Sequence, residues 1–300
     1  MPTRGFVTIA TGSEKYYRLA ENLLRSYRLH AGDDTPFAII CDRENDTTRL
    51  FDRAVVVEAP SFSYMDKLLL YRYAPYDETI FIDADALILS DPSGIWTDFA
   101  DADDVSCYGC VHPLDSGNAW FTYDGCGEYQ KDIHYLIDLH GGIYYLRKTD
   151  RCRSIFEKAI ELAGEYSRYS FRNFENPADE PVLAMSLAIH GSRPCDKKMR
   201  ILFVPSFWGK LRVDHEGTVY VSGQKMECEM IHFGTANTSR FLYRYLADCV
   251  DGKQGRLHFW RTRLAFAPKE LKVVLRHWTG GVLRKVMPGT LVNRIKKFLR

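Results

Sequence analysis

The stretch Ile80-Phe81-Ile82-Asp83-Ala84-Asp85-Ala86-Leu87-Ile88-Leu89 constrains this chain most, because two carboxylates interrupt a run that is otherwise apolar. Apolar sequence on both sides belongs to buried strands, and charge placed there must be compensated. The upstream pattern supplies the sheet. Residues 5–10 and Phe37–Cys41 read as short buried strands, Val55-Val56-Val57 as a third, and Thr79–Ile82 as a fourth that runs into Asp83. Between the first two, Tyr16–His30 places Tyr17, Leu19, Ala20, Leu23, Leu24 and Tyr27 at helical spacing, with Gly32-Asp33-Asp34 as a stop. Met65–Tyr73 predicts a second helix. This alternation predicts an α/β fold with a mainly parallel sheet covered by helices on both faces.

From Asp101 to Gln130 the regularity fails, with Gly109, Pro113, Gly117, Gly125 and Gly127 among aromatic and acidic residues; long irregular segments of this kind usually carry function. Ile143–Leu146 is a further strand, Arg151–Gly164 a helix, and Pro181–Ile189 a helix introduced by Asp179-Glu180. Ile201–Val204 and Thr218–Val221 read as strands. After Gly252 the pattern turns to basic helices separated by Gly280-Gly281 and Pro288-Gly289, so the expected division is a domain over 1–252 and a helical extension over 253–300.

Charge supports that division. The 300 residues carry a net +1, yet residues 253–300 hold 13 Lys/Arg against Glu270 alone, leaving 27 basic and 38 acidic groups before them. An acidic body with a basic tail is concealed in the average. The apolar run Phe6–Ala10 is too short for a signal-peptide core, and no stretch is apolar for the length of a membrane span. The expectation is a cytoplasmic protein with reduced cysteines.

In an extended segment residues i and i+2 point the same way, and a turn just after the strand brings both Asp83 and Asp85 onto one hard cation. A divalent ion there can hold a diphosphate and neutralise charge as it departs. The same tripeptide recurs as Asp101-Ala102-Asp103 without an apolar strand before it, and there reads as a solvated surface cluster.

Lys67-Leu68-Leu69-Leu70-Tyr71, followed by Thr79–Leu89 with Ser90-Asp91-Pro92, resembles the donor-site core of family 8 glycosyltransferases, over about Phe6 to Gly234. The resemblance implies a GT-A fold: one nucleotide-binding α/β domain, a divalent metal (Mn²⁺, or Mg²⁺) and a nucleotide sugar donor. It implies Asp83 and Asp85 as metal ligands, with Asp83 and the intervening Ala84 close to the donor. Lys67 would face the donor, and Thr8, Ala10 and Thr11, with Tyr16 or Tyr17 as stacking ring, would hold uracil and ribose. Asp179 and Glu180 would lie at the reaction centre. His232, in Ile231-His232-Phe233-Gly234, would be the third metal ligand, with Gly234 at the donor. The pattern departs twice. His140-Gly141-Gly142 stands where the family has Asn-Ser-Gly, placing His140 against the donor sugar, and the Lys-Pro-Trp after the late His motif is replaced by Thr235–Arg240, leaving Arg240, Lys210 or Lys225 to meet the diphosphate.

Plainer readings compete. His232 suits a hydrogen-bonded histidine at a strand end, Lys67 can snorkel from a helix, and Asp179-Glu180 suits the positive end of a helix dipole. Cys107-Tyr108-Gly109-Cys110 with His112 and Cys126 invites a zinc reading, but only the first pair has ligand spacing, which favours free thiols. In the tail, Leu291, Val292, Ile295, Phe298 and Leu299 interleave with basic residues, with Trp260 and Trp278 among further arginines. That combination suits docking on an anionic membrane surface, and no nucleic-acid module accompanies it. The expected activity is metal-dependent transfer of a hexose from a nucleotide diphosphate sugar, UDP-linked, to a glycan or lipid-linked acceptor, with retention implied by the resemblance. The alternatives are a degenerate glycan- or membrane-binding protein and a nucleotidyltransferase or sugar-nucleotide hydrolase; Gly12-Ser13-Glu14-Lys15 is too sparse for a nucleotidyltransferase phosphate loop.

Overall fold

The computed structural model describes residues 3–172, 177–207 and 209–286, with 274–286 as backbone. The chain opens with β1 (Arg4–Ala10), α1 (Glu14–His30), β2 (Phe37–Cys41) and β3 (Arg53–Val56). Ser13 caps α1, and its buried face is the periodic set Tyr17, Leu19, Ala20, Leu23, Leu24 and Tyr27 read from the sequence. Burial of each large side chain on that face is worth about 2 kcal/mol.

The helix expected over Met65–Tyr73 is split. Tyr64–Leu69 is a 3-10 turn, and only α2 (Leu70–Tyr73) is α-helical. Asp66 anchors the turn: its carboxylate accepts from the Ser61 backbone N–H at 2.6 Å and from the Thr11 hydroxyl at 2.8 Å. Side-chain bonds of this kind compete with regular helix formation.

There follow β4 (Glu78–Ile82), β5 (Ala86–Ile88), α3 (Gly94–Asp98), β6 (Val105–Ser106), β7 (Gly109–His112), β8 (Leu136–Leu139) and β9 (Ile143–Arg147). The central sheet has the order β3-β2-β1-β4-β9-β6. Its first four strands are parallel, whereas β9 runs antiparallel to both β4 and β6. The irregular stretch from Asp101 therefore contributes a sheet edge, β7 paired with β8, and a 3-10 run over Tyr123–Asp132 kinked at Gly127.

Next come α4 (Asp150–Gly164), α5 (Asp179–Ile189), β10 (Ile201–Phe203), β11 (Leu211–Val213), β12 (Val219–Val221), β13 (Gln224–Lys225), β14 (Met230–His232), α6 (Phe241–Val250) and α7 (Arg256–Val286). The Ser186 hydroxyl of α5 donates to the Ile155 carbonyl of α4, and both helices bury apolar faces in the main core. β14 pairs antiparallel with β5, setting His232 opposite Ala86.

Two compact units emerge. The larger comprises the chain up to Leu202 with Cys228–His232, and the smaller comprises Phe203–Glu227 with the chain from Phe233 onward. Position 252 lies inside the smaller unit, where β11, β12 and β13 form an antiparallel meander. The break expected at Gly280-Gly281 is absent, because α7 continues through both glycines to Val286. A helical glycine costs only about 1 kcal/mol and does not by itself end a helix. Residues from Met287 onward, including Leu291 to Leu299, lie outside the described residues, as does the side chain of Trp278.

Candidate functional site

β4 ends at Ile82, and the chain turns at once: the Ala86 N–H donates to the Asp83 carbonyl at 3.0 Å, while the Asp83 N–H donates to the Gly142 carbonyl at 3.0 Å. This turn aims both carboxylates of Asp83-Ala84-Asp85 at the end of β14. His232 Nε2 lies 3.0 Å from Asp85 Oδ1 and 3.4 Å from Asp83 Oδ2. The three ligand atoms fall within 4.8 Å of one another. Ala84 is buried in the turn between them.

Lys67 reaches the same centre from the 3-10 turn. Its Nζ donates to Asp83 Oδ2 and to the Gly141 carbonyl, each at 3.0 Å, and lies 3.3 Å from Asp179 Oδ2. The ammonium also sits 5.7 Å from the ring centroids of both Phe81 and Tyr144, side by side in the β4–β9 register. Tyr144 donates a short hydrogen bond to Asp179 Oδ2. The other Asp179 oxygen is buried without a hydrogen-bond partner among the described residues. Such an acceptor calls for a donor from outside the protein.

The electrostatics have one direction. Asp83, Asp85, Asp179 and Glu180 confront Lys67 and His232 in a buried setting. Burial raises the Asp83 carboxyl further than Lys67 and His232 lower it. Burial lifts Glu180 to about 7, with Asp179 adding to the effect. Burial alone would lower Lys67 and His232, but Asp179 and Asp83 raise the lysine, and Asp85 raises the histidine. Excess carboxylate of this kind is what a divalent cation relieves. Two carboxylates with one imidazole suit a divalent cation.

The His140-Gly141-Gly142 loop closes the cluster. The His140 ring packs edge-on against His232, with centroids 5.2 Å apart. Burial, then His232, depresses His140 to about 3, so the ring is neutral, with Nδ1 accepting the Gly142 N–H at 3.1 Å. Both glycines are sites of close approach: a Cβ on Gly141 would lie 2.4 Å from Glu180 Oε1, and one on Gly142 would lie 2.6 Å from His232 Nδ1.

Other expected site residues divide. Thr8 is wholly buried inside β1 and Ala10 is buried at its end, whereas Thr11 is half-buried and tied to Asp66. Of the two tyrosines, Tyr17 is core, its hydroxyl donating to Asp42, which also accepts the Gly12 N–H. Tyr16 is the exposed one. Gly234 belongs to the smaller unit and takes φ +64° ahead of a 3-10 turn, a conformation that favours glycine. In that unit Arg240 pairs with Glu270 at 3.1 Å. Asp103, of the second Asp-x-Asp, accepts the Arg193 N–H near the surface.

Three contributors were not singled out from the sequence. Asp66 positions Thr11, Tyr144 positions Asp179, and exposed Tyr64 feels Tyr16, Lys67, Asp85 and Asp83; its phenol is raised by partial desolvation first and then by Tyr16. Tyr144 alone carried a signal, as a polar-tipped ring in the apolar strand Ile143-Tyr144-Tyr145-Leu146.

No family model matches the chain, and no curated protein sequence matches it. Solved structures do. The galactosyltransferase LgtC, in complex with donor and acceptor sugar analogues, matches with a TM-score of 0.52 at 14% identity over 84% of this chain and 96% of that one. An active-site mutant of LgtC matches at 0.50 and 13% identity over the same shares. The apo structure of the bifunctional glycosyltransferase WbbM matches at 0.50 and 14% identity over 87% of this chain, which spans 52% of WbbM. At such identity the likeness is one of fold, and the fold is the GT-A type of these glycosyltransferases: a mixed central sheet covered by helices.

Proposed function

We propose that this protein is a metal-dependent glycosyltransferase that moves a hexose from a nucleotide diphosphate sugar, UDP-linked, to a glycan or lipid-linked acceptor with retention of configuration. The convergence of Asp83 Oδ2, Asp85 Oδ1 and His232 Nε2 at a strand end carries the reading. These three would hold the ion, of Mn²⁺ type, which when bound supplies the positive charge that stabilises a departing diphosphate.

The chain's own residues do the rest. Lys67 holds Asp83 and Asp179 in place, and Gly141 and Gly142, lacking side chains, leave Glu180 and His232 room at the backbone. The unpartnered Asp179 oxygen accepts a hydroxyl of the donor sugar, and Glu180 lies beside it at the start of α5 as a carboxyl that titrates near neutrality. His140, neutral and fixed by Gly142, presents its ring where the sugar is read. Exposed Tyr16 faces the base, with Thr11 beside the ribose, and Gly234 follows the His232 ligand at the donor. A cation is still needed at the diphosphate, and Arg240, Lys210 and Lys225 are the candidates for it.

The acceptor side lies at an anionic membrane surface, with the protein cytoplasmic and peripheral. Along α7, Leu257, Trp260, Leu264 and Leu271 are exposed on one face, flanked by Arg256, Arg261, Arg263, Lys269 and Lys272. No helix of the described residues is long and apolar enough to cross a membrane. Binding to anionic vesicles should fall on truncation at Gly252; unchanged binding removes the membrane claim.

A thermal-shift panel of UDP, GDP, CMP and their sugars, with and without Mn²⁺, on wild type and Asp85→Ala tests the activity class. The reading requires a metal-dependent shift with a uridine ligand that the substitution abolishes. Shifts without metal dependence, or none, would sink it.

A further inference from the structure

The β7–β8 ribbon brings together metal-ligating side chains that the donor site does not use. Cys110 and His112 stand two residues apart on β7 and so point to the same side, and the antiparallel register sets Asp138 directly opposite Cys110. Cys110 Sγ lies 3.3 Å from His112 Nε2, and one ligand atom from each of the three residues lies within 4.8 Å of the others. Around a tetrahedral zinc ion, neighbouring sulfur and nitrogen ligands are about 3.5 Å apart, given bonds of about 2.3 and 2.0 Å. The ribbon is thus close to ligand spacing before any ion arrives.

The donor set is unlike that of the first site. A thiolate, an imidazole and a carboxylate form a borderline-soft set that favours zinc over Mn²⁺ or Mg²⁺. Access is open, with Cys110 exposed and His112 and Asp138 half-buried. The other cysteines of the sequence pattern do not join: Cys107 is wholly buried, and Cys126 is buried with its thiol donating to the Thr122 carbonyl at 3.1 Å. The missing ligand was Asp138, which comes from the opposite strand.

We propose that Cys110, His112 and Asp138 bind a divalent transition ion of the zinc class, with water in the fourth position and release of the Cys110 thiol proton, clamping β7 to β8. The clamp has a destination. Asp138 lies two residues before His140, whose N–H donates to the Tyr108 carbonyl at 2.9 Å, so the ribbon ends where the His140-Gly141-Gly142 loop begins.

Cobalt titration of the full chain, stripped of metal by chelator, separates this site from the Asp83–Asp85–His232 centre, because only a thiolate ligand gives an intense near-ultraviolet sulfur-to-cobalt band. We expect the band in wild type and in Asp85→Asn, its quenching by Zn²⁺, its loss in Cys110→Ser, and affinity weakened about tenfold or more in His112→Ala and Asp138→Asn. Circular dichroism of each variant verifies folding. No band in the wild type, or a band that persists in Cys110→Ser, overturns the proposal.

Discussion

Lys67 and Asp83, sixteen residues apart in the chain, meet at 3.0 Å between Nζ and Oδ2 in a setting where the lysine side chain is only 10% exposed. The same ammonium holds Asp179 at 3.3 Å, so one cation compensates a half-buried and a fully buried carboxylate from different elements. Removing one member of such a group leaves uncompensated charge. Lys67→Ala should therefore cost about 3–5 kcal/mol in urea unfolding of the metal-free protein. A loss below about 1 kcal/mol, the range of an exposed pair, would show that the contact is incidental.

Gly142→Ala tests close approach rather than charge. The new Cβ would stand 2.6 Å from both His232 Nδ1 and His140 Cε1, so the His232 imidazole cannot keep its present position beside Asp85. Mn²⁺ affinity should fall at least about tenfold while the fold persists, as calorimetry beside circular dichroism would record. Unaltered affinity would mean that His232 does not ligate.

Glu180 gives the metal-free protein a pH signature. Its carboxyl is raised from 4.5 to about 7, first by burial and then by Asp179. A group whose folded pKa is raised contributes stability in full below its unfolded pKa, and that contribution is lost as pH rises through the folded value. Melting temperature in chelator should fall as pH rises from 4.5 through about 7, and Glu180→Gln should flatten this limb. Coincident profiles would assign the slope to other groups.

Arg200 predicts the opposite limb. Its Nε lies 2.5 Å from Asp98 Oδ2, Tyr108 donates to the same oxygen at 2.6 Å, and Arg200 also pairs with Glu229. Burial raises the Asp98 carboxyl, but the bonds from Arg200 and Tyr108 outweigh it and hold the group below the usual range. Stability from a depressed carboxyl is present above its unfolded pKa and disappears as pH falls through the folded value. Arg200→Ala should cost about 3 kcal/mol at neutral pH and remove part of the acid-induced loss. The Arg200 carbonyl accepts from Glu229 and Met230 at the start of β14, so a weakened Mn²⁺ site should accompany it.

What the sequence disclosed follows from periodicity. Phe37–Cys41 is a strand with the bounds read from its apolar run, and α1 buries the residues its spacing assigned. Local competition hid the 3-10 turn at Tyr64–Leu69, where Asp66 binds Ser61 and Thr11 instead of continuing a helix. Helical spacing assigned Tyr17 to the buried face of α1, but not its hydroxyl's partner, Asp42, which follows a different strand. Arg200 with Asp98, Cys110 with Asp138 and Tyr144 with Asp179 are long-range pairings that register and packing create. No local pattern announces them.

The most direct measurement is a Mn²⁺ titration followed by the electron paramagnetic signal of the free ion, with and without UDP, on wild type and Asp85→Asn. The wild type should show saturable binding that tightens with UDP, and the variant should lose both. Equal binding by the two proteins, or no effect of UDP on the wild type, would contradict a metal-diphosphate site at Asp83, Asp85 and His232.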